Sequence, residues 1–224
     1  MIKADSLTKI YYSGNNSYTA LKDVSFSIKK GEFLSIVGRS GSGKSTLLNI
    51  IGTLDKPTSG SVIVNNKRLD CLTKKQLDQY RNKEIGFVFQ SFHLEPSYSV
   101  YKNVEMPLLI ANVPPKERKE KILDALLKVD MLGKEKNCAS QLSGGEKQRV
   151  CIARALVNSP SIILADEPCG NLDSVNGRVV MELLKKLAQE GKTIVLVTHN
   201  MEDAKMTDRI ITLKDGQVIS DEIL

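Results

Sequence analysis

Gly38-Arg39-Ser40-Gly41-Ser42-Gly43-Lys44-Ser45-Thr46 satisfies the phosphate-loop spacing G-x-x-x-x-G-K-[ST], with Gly38, Gly43, Lys44 and Ser45 at the fixed positions. A phosphate chain carries several negative charges and needs many donors at once. Glycines at 38, 41 and 43 let the backbone curl so that successive N–H groups point inward as an anion nest. Lys44 reaches for the terminal phosphates, and the Ser45 hydroxyl is a candidate Mg²⁺ ligand. A helix starting near Gly43 adds its positive N-terminal end. The flanks agree: Phe33-Leu34-Ser35-Ile36-Val37 reads as a buried strand, and Leu47-Leu48-Asn49-Ile50-Ile51 as the start of a buried helix. A chance Gly/Ser-rich turn would lack them. The loop implies a nucleoside triphosphate.

Upstream, residues 2–12 and 18–28 read as strands around a turn cluster at 13–17, with Val24, Phe26 and Ile28 on one face. Downstream, a turn at 57–60 precedes a strand at 61–64. Thr73 caps a helix to about 82, and a strand at 84–89 delivers Gln90. Residues 100–112 and 115–132 read as helices, the second with Ile122, Leu123, Leu126, Leu127 and Val129 as a core stripe. Ser143-Gly144-Gly145-Glu146 opens a helix to about 157, placing free N–H groups at a second anion site. An apolar strand at 161–165 ends in Asp166-Glu167. A helix over 174–190 presents Val179, Val180, Leu183, Leu184, Leu187 and Ala188. A further apolar strand, 193–197, ends in Thr198-His199, and a hairpin turns at 214–216. Strands alternating with helices predict a mainly parallel α/β sheet, with an antiparallel start and a helical insertion near 91–157.

The 224 residues suit one large α/β domain, and 41% hydrophobic content supports a packed core. No apolar run approaches the roughly 18 residues that span a bilayer, and the N-terminus lacks a signal-peptide pattern, so a cytoplasmic location is expected. Cys71, Cys138, Cys151 and Cys169 form no C-x-x-C pair, which argues against a zinc or redox site. The net charge of +6 is spread among acids, as in Lys116-Glu117-Arg118-Lys119-Glu120-Lys121, which reads as a solvated helix face and not a nucleic-acid surface.

Beside a phosphate loop, the acids at the end of 161–165 gain meaning. Asp166 is placed to hold Mg²⁺, often through water, and Glu167 to orient or deprotonate the attacking water. Gln90 fits at the metal or the water, and His199 at the γ-phosphate; alone, each is weak.

These motifs together resemble the ATP-binding cassette (ABC) ATPases along essentially the whole chain. Leu142-Ser143-Gly144-Gly145-Glu146 is similar to the family signature, which usually ends in Gln. The order phosphate loop, Gln90, signature, Asp166-Glu167, Asn171-Leu172-Asp173, His199 matches the family. The resemblance implies a P-loop NTPase (RecA-like) core with an N-terminal antiparallel β subdomain and an inserted α-helical signature subdomain. That is one ABC domain over 2–224, its core about 2–90 and 158–224 and its helical subdomain about 91–157. It implies ATP with Mg²⁺, and Tyr11, in preference to Tyr12, as the aromatic stacking on adenine. It further implies a head-to-tail homodimer in the ATP-bound state. There, Ser143, Gly144 and Gly145 of one copy complete the site on the other, and Asp173 lies at the seam.

Asn49-Ile50-Ile51-Gly52, Leu54-Asp55-Lys56-Pro57, 85–90, 103–108 and 163–174 are similar to the subfamily of macrolide exporters (MacB), lipoprotein-releasing ATPases (LolD) and peptide-resistance transporters. This implies a cassette peripheral on the inner face of the membrane, beneath a separate permease and, in many systems, an extracytoplasmic adaptor protein. The export cargo would be antimicrobial peptides, macrolides or lipoproteins. An FtsE-like regulator of cell-wall hydrolases and a nutrient importer remain as alternatives. Ser91, Phe92, His93, Leu94, Pro96 and Tyr98 are expected to line a groove for a permease helix. Glu146 in place of Gln, Ala139 where relatives often carry Pro, and Cys169 in place of Thr are departures from the pattern.

Overall fold

The computed structural model describes residues 2–14 and 16–224; Met1 and Asn15, the latter inside the expected turn cluster at 13–17, lie outside the described residues. The chain forms two compact units, residues 1–77 with 187–224, and residues 78–186. Their boundaries fall within α2 (Lys74–Glu84) and near the end of α6 (Ser174–Gln189). The fold is that of an α/β P-loop NTPase.

In the first unit, β1 (Ile2–Ser13) pairs antiparallel with β2 (Asn16–Ile28) and with β4 (Ser59–Val64). The two-residue β5 (Lys67–Arg68) completes the order β2-β1-β4-β5. Register shifts between Ala4 and Leu7, and again between Leu7 and Lys9, break the alternation of β1. Ser6 beside them is left-handed, with φ 50°, which is why the sequence alternates only loosely there. β4 begins two residues before the expected 61, because Ser59 pairs with Thr8. A second sheet carries the phosphate loop. Its strand β3 (Phe33–Val37) lies between β8 (Thr193–Thr198) and β9 (Arg209–Lys214), parallel to both, with β10 (Gln217–Ile223) antiparallel on β9. Every residue of β3 and β8 is buried, the continuous apolar pattern of a strand covered on both faces. α1 (Lys44–Ile51) buries Leu47, Leu48, Ile50 and Ile51. The short α7 (Met201–Ala204) follows β8.

In the second unit, β6 (Ile85–Phe89) is parallel to β7 (Ile162–Asp166). α5 (Gly144–Leu156) packs on β6 and on α3 (Val100–Ile110) and α4 (Pro115–Lys128). The unit therefore takes in two strands beside the helices of 91–157. Two helical stripes differ from expectation. In α4 the core residues are Ile122, Ala125 and Leu126, while Leu127 is exposed. In α6 they are Val180, Met181, Leu184, Leu187 and Ala188, with Val179 exposed. Leu127 and Val179 each sit one residue along from a buried position, about 100° around the helix, outside the covered stripe.

Candidate functional site

In the first unit, the buried β3 ends at Val37 and α1 begins at Lys44. Gly43 caps the helix with φ 100°, and a Cβ there would lie 2.4 Å from the Ala20 carbonyl oxygen. Only glycine fits that turn. It leaves the first N–H groups of α1 facing outward without a side-chain cap, a ready anion site. The loop is braced from outside. The Gly216 N–H donates to the Ser42 carbonyl at 3.1 Å, and the Tyr18 hydroxyl to the Gly41 carbonyl at 2.9 Å. Lys44 is buried, and its ammonium donates to the Gly38 and Arg39 carbonyls at 2.8 and 2.9 Å. Its charge is thus held within the loop. The Ser42 hydroxyl is buried with no hydrogen-bond partner among the described residues. Lys44, the orphaned hydroxyl and the open helix end together fit a phosphate chain. Arg39, Ser40, Gly41 and Ser45 are exposed around it, and Thr46 is half-buried.

Tyr11 belongs to the same unit. Its hydroxyl donates to Asp55 at 2.8 Å and receives a bond from Thr46. The Lys9 ammonium lies 4.8 Å from the ring centroid and 2.6 Å from the Asp55 carboxylate. One ring edge and one ring face are therefore fixed. Burial, with help from Asp55, pushes the Tyr11 hydroxyl pKa up. Burial opposes ionisation of Asp55, but bonds from Lys9, Tyr11 and the Lys56 N–H outweigh it and hold the carboxyl below its usual range. Tyr12, by contrast, is 73% exposed. His199 is exposed just past β8.

In the second unit, Gln90 follows β6 and is clamped to the Asn171-Leu172-Asp173 segment. Its Nε2 donates to Asn171 Oδ1 at 3.2 Å, and Asn171 Nδ2 donates to the Gln90 carbonyl at 3.0 Å. Gln148, fully buried in α5, donates to the Phe89 carbonyl at 3.2 Å just before it. β7 ends at Asp166, and Glu167 turns the chain in the left-handed region with φ 48°. A non-glycine residue held there is a strain that recurs at functional positions. Asp173 Oδ1 accepts from the Asn176 N–H at 2.9 Å, and Oδ2 from Asn176 Nδ2 at 2.6 Å. These bonds hold its carboxyl below the usual range, the Asn176 N–H most strongly.

Ser143 caps α5 with a reciprocal box: its Oγ accepts from the Glu146 N–H at 3.3 Å, and Glu146 Oε2 accepts from the Ser143 N–H at 2.9 Å. The other Glu146 oxygen pairs with Lys134. Lys134, followed by the Ser143 N–H, holds the Glu146 carboxyl down to about 2. Ser143 and Gly144 are exposed and Gly145 is buried. A Cβ on Gly145 would fall 2.2 Å from Asn176 Oδ1, so the signature turn rests directly on the side chain bound to Asp173.

The phosphate loop, Tyr11 and His199 thus lie in the first unit. Gln90, Ser143–Gly145, Asp166, Glu167 and Asp173 lie in the second. Three residues that sequence reasoning did not single out are Tyr18, Asn171 as the partner of Gln90, and Asn176. Only the alternation of β2 hinted at Tyr18, which pairs with Tyr11 across the hairpin. Of the loop after Gln90, His93 lines a cavity in this unit. Its other walls are Ile85, Phe87, Phe89, Met106, Ile110 and Arg154, around some 370 Å³. The loop is held by Asn103 and Arg154: Asn103 Nδ2 donates to the Glu95 carbonyl at 3.1 Å and Arg154 to the Phe92 carbonyl at 2.9 Å.

A family model described as "ABC transporter" matches residues 21–170. An uncharacterized ABC transporter ATP-binding protein of Methanocaldococcus jannaschii, MJ0796, is 49% identical over 100% of this chain and 97% of its own. The macrolide export ATP-binding/permease protein MacB of Vibrio parahaemolyticus is 45% identical, and the chain spans 34% of its length. Among solved structures, a dimeric MJ0796 cassette superposes with a TM-score of 0.91 at 48% identity, covering 100% of this chain and 99% of that one. A dimeric post-hydrolysis MJ0796 bound to ADP and Pi gives 0.91 at 47% identity, with the same coverage.

Proposed function

The chain belongs to the ABC transporter family as an ATP-binding cassette, and from that premise we propose that it is the ATP-hydrolysing subunit of an export system of the MacB/LolD kind. The observation that carries this reading is the match of the whole chain to the cassette third of a protein named as both ATP-binding and permease. The phosphate-loop geometry supports it from below.

In this reading Lys44 and the N–H groups of residues 38–46 hold the β- and γ-phosphates, and Tyr11 offers its open face to adenine. Ser45, Gln90 and Asp166 hold Mg²⁺. A single carboxylate suits an ion that keeps most of its shell as water and substrate phosphate. When bound, the metal neutralises charge on the phosphoryl group in transfer. Glu167 orients and deprotonates the attacking water, and His199 donates to the γ-phosphate. Ser143, Gly144 and Gly145 complete the site of a second copy in a head-to-tail homodimer, with Asp173 at the seam. The dimeric state in which MJ0796 was solved supports a homodimer. ATP favours the closed dimer and hydrolysis releases it, a population shift set by the nucleotide.

Among the described residues no helix is long and apolar enough to cross a membrane. In this reading a membrane permease supplies the transport path, with an extracytoplasmic adaptor as a further partner, and the cassette sits on the inner membrane face. The signature-bearing segment 91–157 presents the permease-facing groove, with Met106 and Ile110 as its exposed apolar wall. The cargo is a macrolide, peptide or lipoprotein.

Glu167→Gln tests the reading. ATP turnover is expected to fall by about 100-fold or more, while the variant forms a dimer with ATP and not without it, read by light scattering. Normal hydrolysis by the variant would remove Glu167 from its role.

A further inference from the structure

The signature of this chain carries a negative charge where it is to meet a polyanion. The Glu146 carboxylate stands three residues into α5, and its Oε2 sits 2.9 Å from the Ser143 nitrogen, within the turn that presents Ser143, Gly144 and Gly145. An isolated carboxylate there would repel a triphosphate and offset the positive helix end. Lys134, from the loop after α4, pairs with the oxygen of Glu146 that Ser143 does not use. The neighbouring Arg149 faces Asp130 at 3.5 Å. The Glu146 side chain is 19% exposed and that of Lys134 46%, so the pair lies at the rim of the turn, with the ammonium outermost.

We propose that Lys134 is the counter-charge that allows this acidic signature to accept the phosphates of a nucleotide held by a second copy. It acts through Glu146 as a positioning residue and does not touch the nucleotide. The pair does two things. It cancels a unit of negative charge beside the incoming phosphate, and it fixes the Glu146 carboxylate against the Ser143 N–H. With the Ser143 oxygen accepting from the Glu146 N–H at 3.3 Å, the hydroxyl proton is left to point outward as a donor. The inference rests on the reading of Ser143–Gly145 as a phosphate site in trans.

The test is a four-variant cycle built on Glu167→Gln: the parent, Lys134→Met, Glu146→Gln and the double variant. Two quantities are read, ATP binding to the monomer at low protein concentration and the ATP concentration for half-maximal dimerisation. Lys134→Met is expected to leave monomer binding unchanged and to raise the dimerisation midpoint roughly tenfold at low salt, as one uncompensated surface charge would. The deficit is expected to shrink as ionic strength rises. In the Glu146→Gln background the same substitution is expected to change the midpoint by less than about twofold, and in the parent background Lys134→Arg is expected to keep the parent's midpoint. An equal deficit in both backgrounds would mark Lys134 as a direct ligand or a structural residue and overturn the inference. No deficit in the parent would overturn it as well. A parent that binds ATP but never dimerises would instead refute the trans site itself, and this inference with it.

Discussion

The phosphate loop and the signature turn, both helix N-termini proposed to meet phosphate, are held by different means. Around the loop every bracing bond ends on a backbone carbonyl. Lys44 bonds two carbonyls of its own turn, Gly216 and Tyr18 bond two more carbonyls, and Gly43 packs on the Ala20 carbonyl. Around the signature the bracing is side chains: Lys134 on Glu146, Glu146 on Ser143, and Asn176 beneath Gly145. Bonds that end on neutral carbonyls respond little to salt. Side-chain bracing depends on charge, on screening and on residues distant in sequence. The contrast suits the proposed division of labour, in which one end keeps its nucleotide and the other engages and lets go.

Three perturbations would break or sharpen this contrast. Lys44→Ala removes the buried ammonium of the loop and leaves the exposed Arg39 in place. It is expected to cut kcat/KM for ATP by about 100- to 1000-fold, while the melting temperature of the protein stays close to wild type. Steady-state kinetics beside thermal unfolding separates the two. Gly145→Ala drives a methyl group into Asn176 and is expected to cost about 1–3 kcal/mol of stability. Monomer ATP affinity should be unaffected, because no residue of the loop is disturbed. A variant as stable as wild type would show that Asn176 gives way and that the signature is less rigidly seated than the structure implies.

The smallest effect concerns pH. Glu146 has its carboxyl lowered from 4.5 to about 2 in the folded chain. A depressed carboxylate contributes stability that is present above the unfolded value of 4.5 and lost as pH falls through the folded one. Unfolding midpoints measured from pH 6 to pH 2 should therefore fall more steeply for wild type than for Glu146→Gln below about pH 4.5. Parallel curves would mean that the Lys134 pair adds nothing in solution, as for many exposed ion pairs.

Much of the fold was legible because its signals are local. Four apolar residues flanking Ser35 at 33–37, glycines at the loop and a lysine after the last of them admit one reading, and α1 begins at Lys44 as that reading requires. The cap at Thr73 and the helix start at 143–146 were equally clear. What failed was the width of helical faces. Leu127 and Val179 are apolar and well spaced, yet exposed, because a neighbour must exist to cover a stripe. What ties down the loop after Gln90 was equally hidden, because its partners Asn103 and Arg154 come from α3 and α5.

By itself the amino-acid sequence determined the chemistry available: a phosphate loop, an acid pair after a buried strand, and a serine–glycine turn opening a helix. Each depends on neighbours within about ten residues, and backbone conformation at that range follows from residue type. Only the tertiary structure decided what steadies those groups. That Tyr18 holds Gly41, Asn171 holds Gln90 and Asn176 lies under Gly145 follows from strand register and helix packing, which bring together residues 23 to 81 positions apart in the chain. Such pairs leave no periodic trace along the sequence, because side-chain partners are chosen by packing in space.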